Sequence, residues 1–88
     1  MDSYEIRWKN SAEQDLRKIN AQQIPRIIKV VESLADDPFP PQHRKLQGSE
    51  QDYRIRVGDY RIIYQVENKT KVIVIYHVRH RKEAYRKR

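Results

Sequence analysis

The sequence predicts an α+β domain with two helices packed on one face of a mainly antiparallel sheet. Three observations carry this. Apolar residues recur at helical spacing from Ala12 to Leu34, and they alternate at strand spacing through much of Tyr53–Val78. A Gly58-Asp59 pair between two of the alternating runs leaves room only for a tight turn. The expected order is strand, helix, helix, strand, strand, strand, in one domain spanning residues 1–88, since a chain of 88 residues does not divide into two cores.

The elements follow in order. Tyr4-Glu5-Ile6-Arg7-Trp8 alternates apolar and polar and reads as a first strand. Asn10 or Ser11 is the expected N-cap of a first helix, with Glu13 in its first turn and Ala12, Leu16 and Ile19 on its apolar stripe; it should end near Asn20. Ile24, Ile27, Ile28, Val31 and Leu34 make a stronger stripe, giving a second helix over roughly Gln22–Ala35. Pro25 is tolerated only in a first turn and so marks its start, and Asp36-Asp37-Pro38 stops it. The short link between the two predicts an antiparallel helical hairpin. Phe39–Glu50, with Pro40, Pro41 and Gly48, is expected to be loop. Strands are expected at Tyr53–Val57, Tyr60–Val66 and Lys71–Val78, followed by a basic tail, Arg79–Arg88, that could close as a short C-terminal helix.

Charge is divided unevenly. Residues 1–52 hold 8 Lys/Arg against 9 Asp/Glu, a net −1, while residues 53–88 hold 11 against 3, a net +8. Such asymmetry points to a polyanionic partner, either nucleic acid or an acidic protein. The absence of cysteine excludes disulfides and thiolate metal sites. No apolar run approaches the roughly 20 residues of a membrane span, and Met1–Asn10 is too polar for a signal peptide. A cytoplasmic chain is expected.

The hairpin places the charge. A two-residue turn with glycine first is the type II′ signature and fixes the register: Val57 faces Tyr60, Arg56 faces Arg61, Ile55 faces Ile62, Arg54 faces Ile63 and Tyr53 faces Tyr64. One face then carries six apolar or aromatic side chains and should be core. Arg54, Arg56 and Arg61 project from the other. Arg56 opposite Arg61 is unfavourable in isolation, because like charges across a ladder repel. An anionic ligand would convert that cost into binding; the alternative is a solvated face.

Such a patch suits phosphodiester cleavage in RNA, where the ribose 2′-hydroxyl is the nucleophile and the protein must mainly stabilise charge on the phosphorane. His43, His77 and His80 show no metal-ligand spacing. Arginine does not readily serve as the base, because its pKa lies above roughly 12. Proton transfer therefore falls to His80 or Tyr85, with His77 and Lys82 behind them. Strand parity puts His77 on the core side with Ile73 and Ile75, as a structural histidine, and Val74 and Tyr76 on the arginine side. For Tyr85, composition alone favours packing of the tail helix, with stacking on a base as the other role.

Lys45-Leu46-x-Gly48, then Tyr53-Arg-Ile-Arg-Val-Gly-Asp-Tyr-Arg-Ile-Ile-Tyr64, then Val78-x-His-Arg81-x-x-x-Tyr85, together resemble the RelE/ParE toxin superfamily across nearly the whole chain. The resemblance implies a RelE-like fold and a toxin of a type II toxin–antitoxin system. It implies cleavage of mRNA in the ribosomal A site, on the small subunit, without a metal or other cofactor. It implies Arg56, Arg61, Arg81, Tyr85 and His80 as catalytic residues, with Arg54, Lys45, Arg79 and Lys82 binding RNA. The best-known nuclease of the group has lysines where Arg54 and Arg56 stand. The implied partners are an acidic RelB-like antitoxin, the ribosome and mRNA, with operator DNA reached through the antitoxin. The superfamily's other branch, the ParE-like toxins that inhibit DNA gyrase by binding, is the alternative, and it generally lacks the arginine-and-tyrosine set.

Overall fold

The computed structural model describes residues 3–41, 43–46, 52–80 and 82. Strand β1 (Glu5–Trp8) leads into helix α1 (Asn10–Arg17), a single 3-10 turn (Ala21–Gln23) and helix α2 (Ile24–Ser33). Strands β2 (Arg44–Lys45), β3 (Asp52–Val57), β4 (Tyr60–Glu67) and β5 (Val72–His80) follow. They form one five-stranded sheet in the order β1-β5-β4-β3-β2, with β1 parallel to β5 and every other pair antiparallel. The α+β class and the mainly antiparallel sheet are therefore as expected. Among the described residues, no helix is long and apolar enough to cross a membrane.

The β3–β4 hairpin has the register its turn dictates, from Val57↔Tyr60 to Tyr53↔Tyr64. Gly58 has φ 59° while Asp59 stays out of the positive region, the combination a type II′ turn needs. The inward face packs Ile55, Val57, Ile62 and Tyr64 against Ala12 of α1 and Ile27, Val31 and Leu34 around α2, with Val66, Ile73, Ile75 and Val78 completing the core. Tyr64 is fully buried, and its hydroxyl donates to the Pro38 carbonyl at 2.8 Å. Burial pushes that phenol well above its ordinary pKa.

Four expectations are corrected. The loop expected over Phe39–Glu50 contains a fifth strand: Arg44 and Lys45 pair with Arg54 and Tyr53, and the Leu46 N–H donates to the Asp52 carbonyl at 2.8 Å. The first helix starts after Lys9 and ends at Arg17. Ser11 does not cap it, because its hydroxyl donates to the Tyr76 carbonyl at 2.7 Å; Asn20 caps the 3-10 turn instead, accepting from Gln22 N–H at 2.9 Å. The second helix is preceded by that 3-10 turn, so α2 begins at Ile24, with Pro25 in its first turn as expected.

The fourth correction matters most. β5 runs through to His80 and carries a bulge: Tyr64 faces Ile75 and Ile63 faces His77, so Tyr76 is an extra residue. Downstream of it the alternation shifts by one. Val78 becomes core, and His77, expected on the core side, faces outward opposite Ile63. β5 also outruns β1, whose last pair is Trp8↔Ile75. Helix α1 covers that exposed edge. Ser11 and Asp15, four residues apart on one helix face, bond to the Tyr76 carbonyl and to the Val78 N–H (3.0 Å), so the edge is satisfied by side chains in place of a strand. The short C-terminal helix expected from the basic tail lies outside the described residues, apart from Lys82.

Candidate functional site

Arginines gather on the sheet face opposite the helices. In one cross-strand row, Arg56 of β3 faces Arg61 of β4, which faces Arg79 of β5. In the next row on the same face, Arg44 of β2 faces Arg54 of β3, which faces Ile63 and then His77. A groove of about 170 Å³ is lined by Arg44, Arg54, Ile55, Arg56 and Arg61. Local bonds orient two of these side chains. Arg56 Nε donates to the Gly58 carbonyl at 3.3 Å, and Arg44 Nη1 donates to the His43 carbonyl at 3.0 Å. Each bond uses one of a guanidinium's five N–H groups. Arg79 meets a carboxylate, its Nε lying 3.5 Å from Asp15 Oδ2.

The bulge brings Arg79 to this face. Without the extra residue, Arg79 would share the side of Ile73 and Ile75. The same shift turns His80 the other way. It pairs with Tyr60 on the helix side of the sheet, with the rings edge-on at 5.3 Å. It lines a separate polar cavity of about 280 Å³ with Asn20, Gln23, Arg26, Asp59 and Tyr60. His80, expected beside the arginines, is therefore not in their groove. Its Nδ1 accepts from the Lys82 N–H at 3.2 Å, and Lys82 is exposed. Lys45 pairs with Tyr53 and so also lies on the helix side, away from the groove. Arg81 and Tyr85 lie outside the described residues.

His77 stands on the arginine face, half-buried. Its Nδ1 is 3.2 Å from Asp15 Oδ2 and 3.1 Å from Arg79 Nη2. These contacts are alternatives. A protonated Nδ1 donates to the carboxylate, and an unprotonated one accepts from the guanidinium. Either way His77 has a partner, the structural role expected of it, though on the opposite face. Among the described residues, no three His, Asp or Glu side chains gather as a metal centre would require.

The geometry can do one thing well: hold an anion between preset donors. Guanidiniums keep their charge at any physiological pH and bind phosphate oxygens in a fixed fork. Placed across adjacent strands, they need no reorganisation when charge develops on a bound phosphate. Sequence reasoning missed Arg44, because a two-residue strand is too short to show periodicity. It also missed the phase shift in β5, although a signal was there: Ile73-Val-Ile75-Tyr-His-Val78 puts a polar residue at 77 and an apolar one at 78, the reverse of strict alternation.

Fold and groove together describe a small basic α+β protein with an arginine-lined groove on the open face of its sheet. Residues 6–85 match the family described as ParE toxin of type II toxin-antitoxin system, parDE, and the chain belongs to that family, within the RelE/ParE superfamily. It is similar to Toxin RelG of Mycobacterium tuberculosis, 30% identical over 92 aligned positions that cover 96% of this chain and 98% of the relative. Its fold matches the archaeal RelE–RelB complex of Pyrococcus horikoshii with a TM-score of 0.80 at 29% identity, covering 92% of this chain and 98% of that one. The RelB–RelE antitoxin–toxin complex of Methanococcus jannaschii matches with a TM-score of 0.74 at 28% identity, covering 90% and 94%.

Proposed function

We propose that the chain is a ribosome-dependent endoribonuclease, which stops translation by cutting mRNA in the ribosomal A site. The ribose 2′-oxygen loses its proton and attacks the adjacent phosphorus. The bond from phosphorus to the 5′-oxygen breaks, that oxygen takes up a proton, and the products are a 2′,3′-cyclic phosphate and a 5′-hydroxyl. The nucleophile belongs to the substrate, so the protein's task is to bind, orient and stabilise charge, which needs no metal. The observation that supports the reading is the groove in which Arg54, Arg56 and Arg61 converge. Arg81 and Tyr85 enter on the sequence motif, as the second phosphate ligand and the proton-transfer group. An acidic RelB-like antitoxin would cover the arginine face and carry the pair to operator DNA, in the cytoplasm.

Inducible expression followed by primer extension tests this. Growth should arrest, with cuts appearing inside translated messages, and Arg61→Ala should relieve both by about a hundredfold in rate. Undiminished cutting by an Arg61→Ala/Arg81→Ala double variant would overturn the assignment. A second reading, gyrase inhibition by binding, is favoured by the ParE description of the matching family. It predicts DNA damage with messages left intact.

A further inference from the structure

We propose that Arg44 is a positioning residue for single-stranded nucleic acid: with Arg54 it holds the phosphate next to the one that lies between Arg56 and Arg61. The claim rests on the nuclease reading only for which phosphate is cut.

The argument is one of spacing. Arg44 faces Arg54 directly across the β2–β3 ladder, and side chains so paired have Cβ atoms about 5 Å apart on one face. Arg54 and Arg56 are two residues apart on β3, so their rows are separated by about 7 Å along the strand. That is a step an extended polynucleotide can make between neighbouring phosphates. The chain thus offers two guanidinium rows, one behind the other, opening into one groove. A single phosphate between Arg56 and Arg61 would leave Arg44 and Arg54 facing each other across the next row. Two consecutive phosphates satisfy both. The Arg44 bond to the His43 carbonyl fixes the guanidinium while leaving its other N–H groups to point elsewhere. Lys45, the adjacent cation, lies on the opposite side of the strand and provides a control of equal charge.

The test uses the whole chain and 2′-O-methyl oligoribonucleotides, which cannot be cleaved, without terminal phosphates. A dinucleotide then carries one phosphodiester and a trinucleotide two. Arg44→Ala should weaken the trinucleotide about tenfold and leave the dinucleotide nearly unchanged. Its slope of log affinity against log salt should flatten by about 0.7, the loss of one contact on a single strand. Arg44→Lys should keep that slope and lose only part of the affinity. Lys45→Ala should change neither probe. In single-turnover cleavage of ribosome-bound message, Arg44→Ala should raise the half-saturating toxin concentration and leave the rate at saturation intact. Equal losses in Arg44→Ala and Lys45→Ala would reduce the effect to diffuse charge and overturn the proposal. So would equal losses on both probes, or no measurable trinucleotide binding by the wild-type chain at low salt. Binding as expected with messages left uncut would retain Arg44 as a phosphate ligand while the nuclease reading falls.

Discussion

Arg61, on which the proposed cleavage turns, stands between Arg56 and Arg79 in the middle of the charged row. His80 makes an instructive contrast. Imidazole is the side-chain type best suited to proton transfer, but that of His80 faces the helices. His80→Ala is therefore expected to retain far more cleavage than Arg56→Ala, compared by primer extension at matched expression. Tyr64 shows the same separation of chemistry from location. Its buried hydroxyl serves the fold by donating to the Pro38 carbonyl, and Tyr64→Phe should cost about 1 kcal/mol in urea denaturation. Burial holds that phenol protonated, whereas in the unfolded chain it ionises from about pH 10. Above that pH the unfolded state binds fewer protons than the native one, so stability falls as pH rises. Tyr64→Phe should remove part of that fall, which denaturation at pH 7 and pH 10.5 would reveal.

Elements differ in how much of them can be read from the residues that form them. The β3–β4 hairpin was legible in full, since a two-residue turn leaves no freedom in register. Three of the groove's four arginines followed from it. The α2 stripe was legible too, because Pro25 and the Ile/Val/Leu spacing agree on where the helix lies. β2 was not, for two residues carry no period, and with it went Arg44. The β5 bulge was half-visible in the misplaced His77 and Val78, yet strict alternation overrode the hint. What fixes the bulge is tertiary: Ser11 and Asp15 bond to the backbone on either side of His77. Asp15 also meets His77 and Arg79. Asp15→Ala should cost about 2 kcal/mol, since the Val78 N–H loses its acceptor. Asp15→Asn, which keeps an oxygen there, should cost less. Urea denaturation of the two variants measures the difference.

At the scale of the whole molecule, the sheet divides labour between its faces. The helices cover one, and the arginines occupy the other. That division was legible from the hairpin alone, and the net +8 of residues 53–88 agreed with a basic second face. The sheet's outer pairing was not legible. β1 joins β5 in parallel, more than 60 residues away, through Glu5↔Val72 to Trp8↔Ile75. The Glu5 N–H donates to the Lys71 carbonyl at 2.8 Å, the Lys9 N–H to the Ile75 carbonyl at 2.9 Å, and Tyr4 Oη to Asn68 Oδ1 at 2.7 Å. No local pattern encodes such a contact. A fragment of residues 1–70 is accordingly expected to lack the native near-ultraviolet circular dichroism of the full chain.

That pairing has a consequence for how the protein comes into being. During synthesis β1 emerges early but has no neighbour until β5 follows, and contacts so distant in sequence are slow to close. Arg79 takes its place beside Arg61 in the same late event, on the same strand. The charged row therefore cannot be complete before β5 is in place, because the seam that closes the sheet also brings Arg79 beside Arg61.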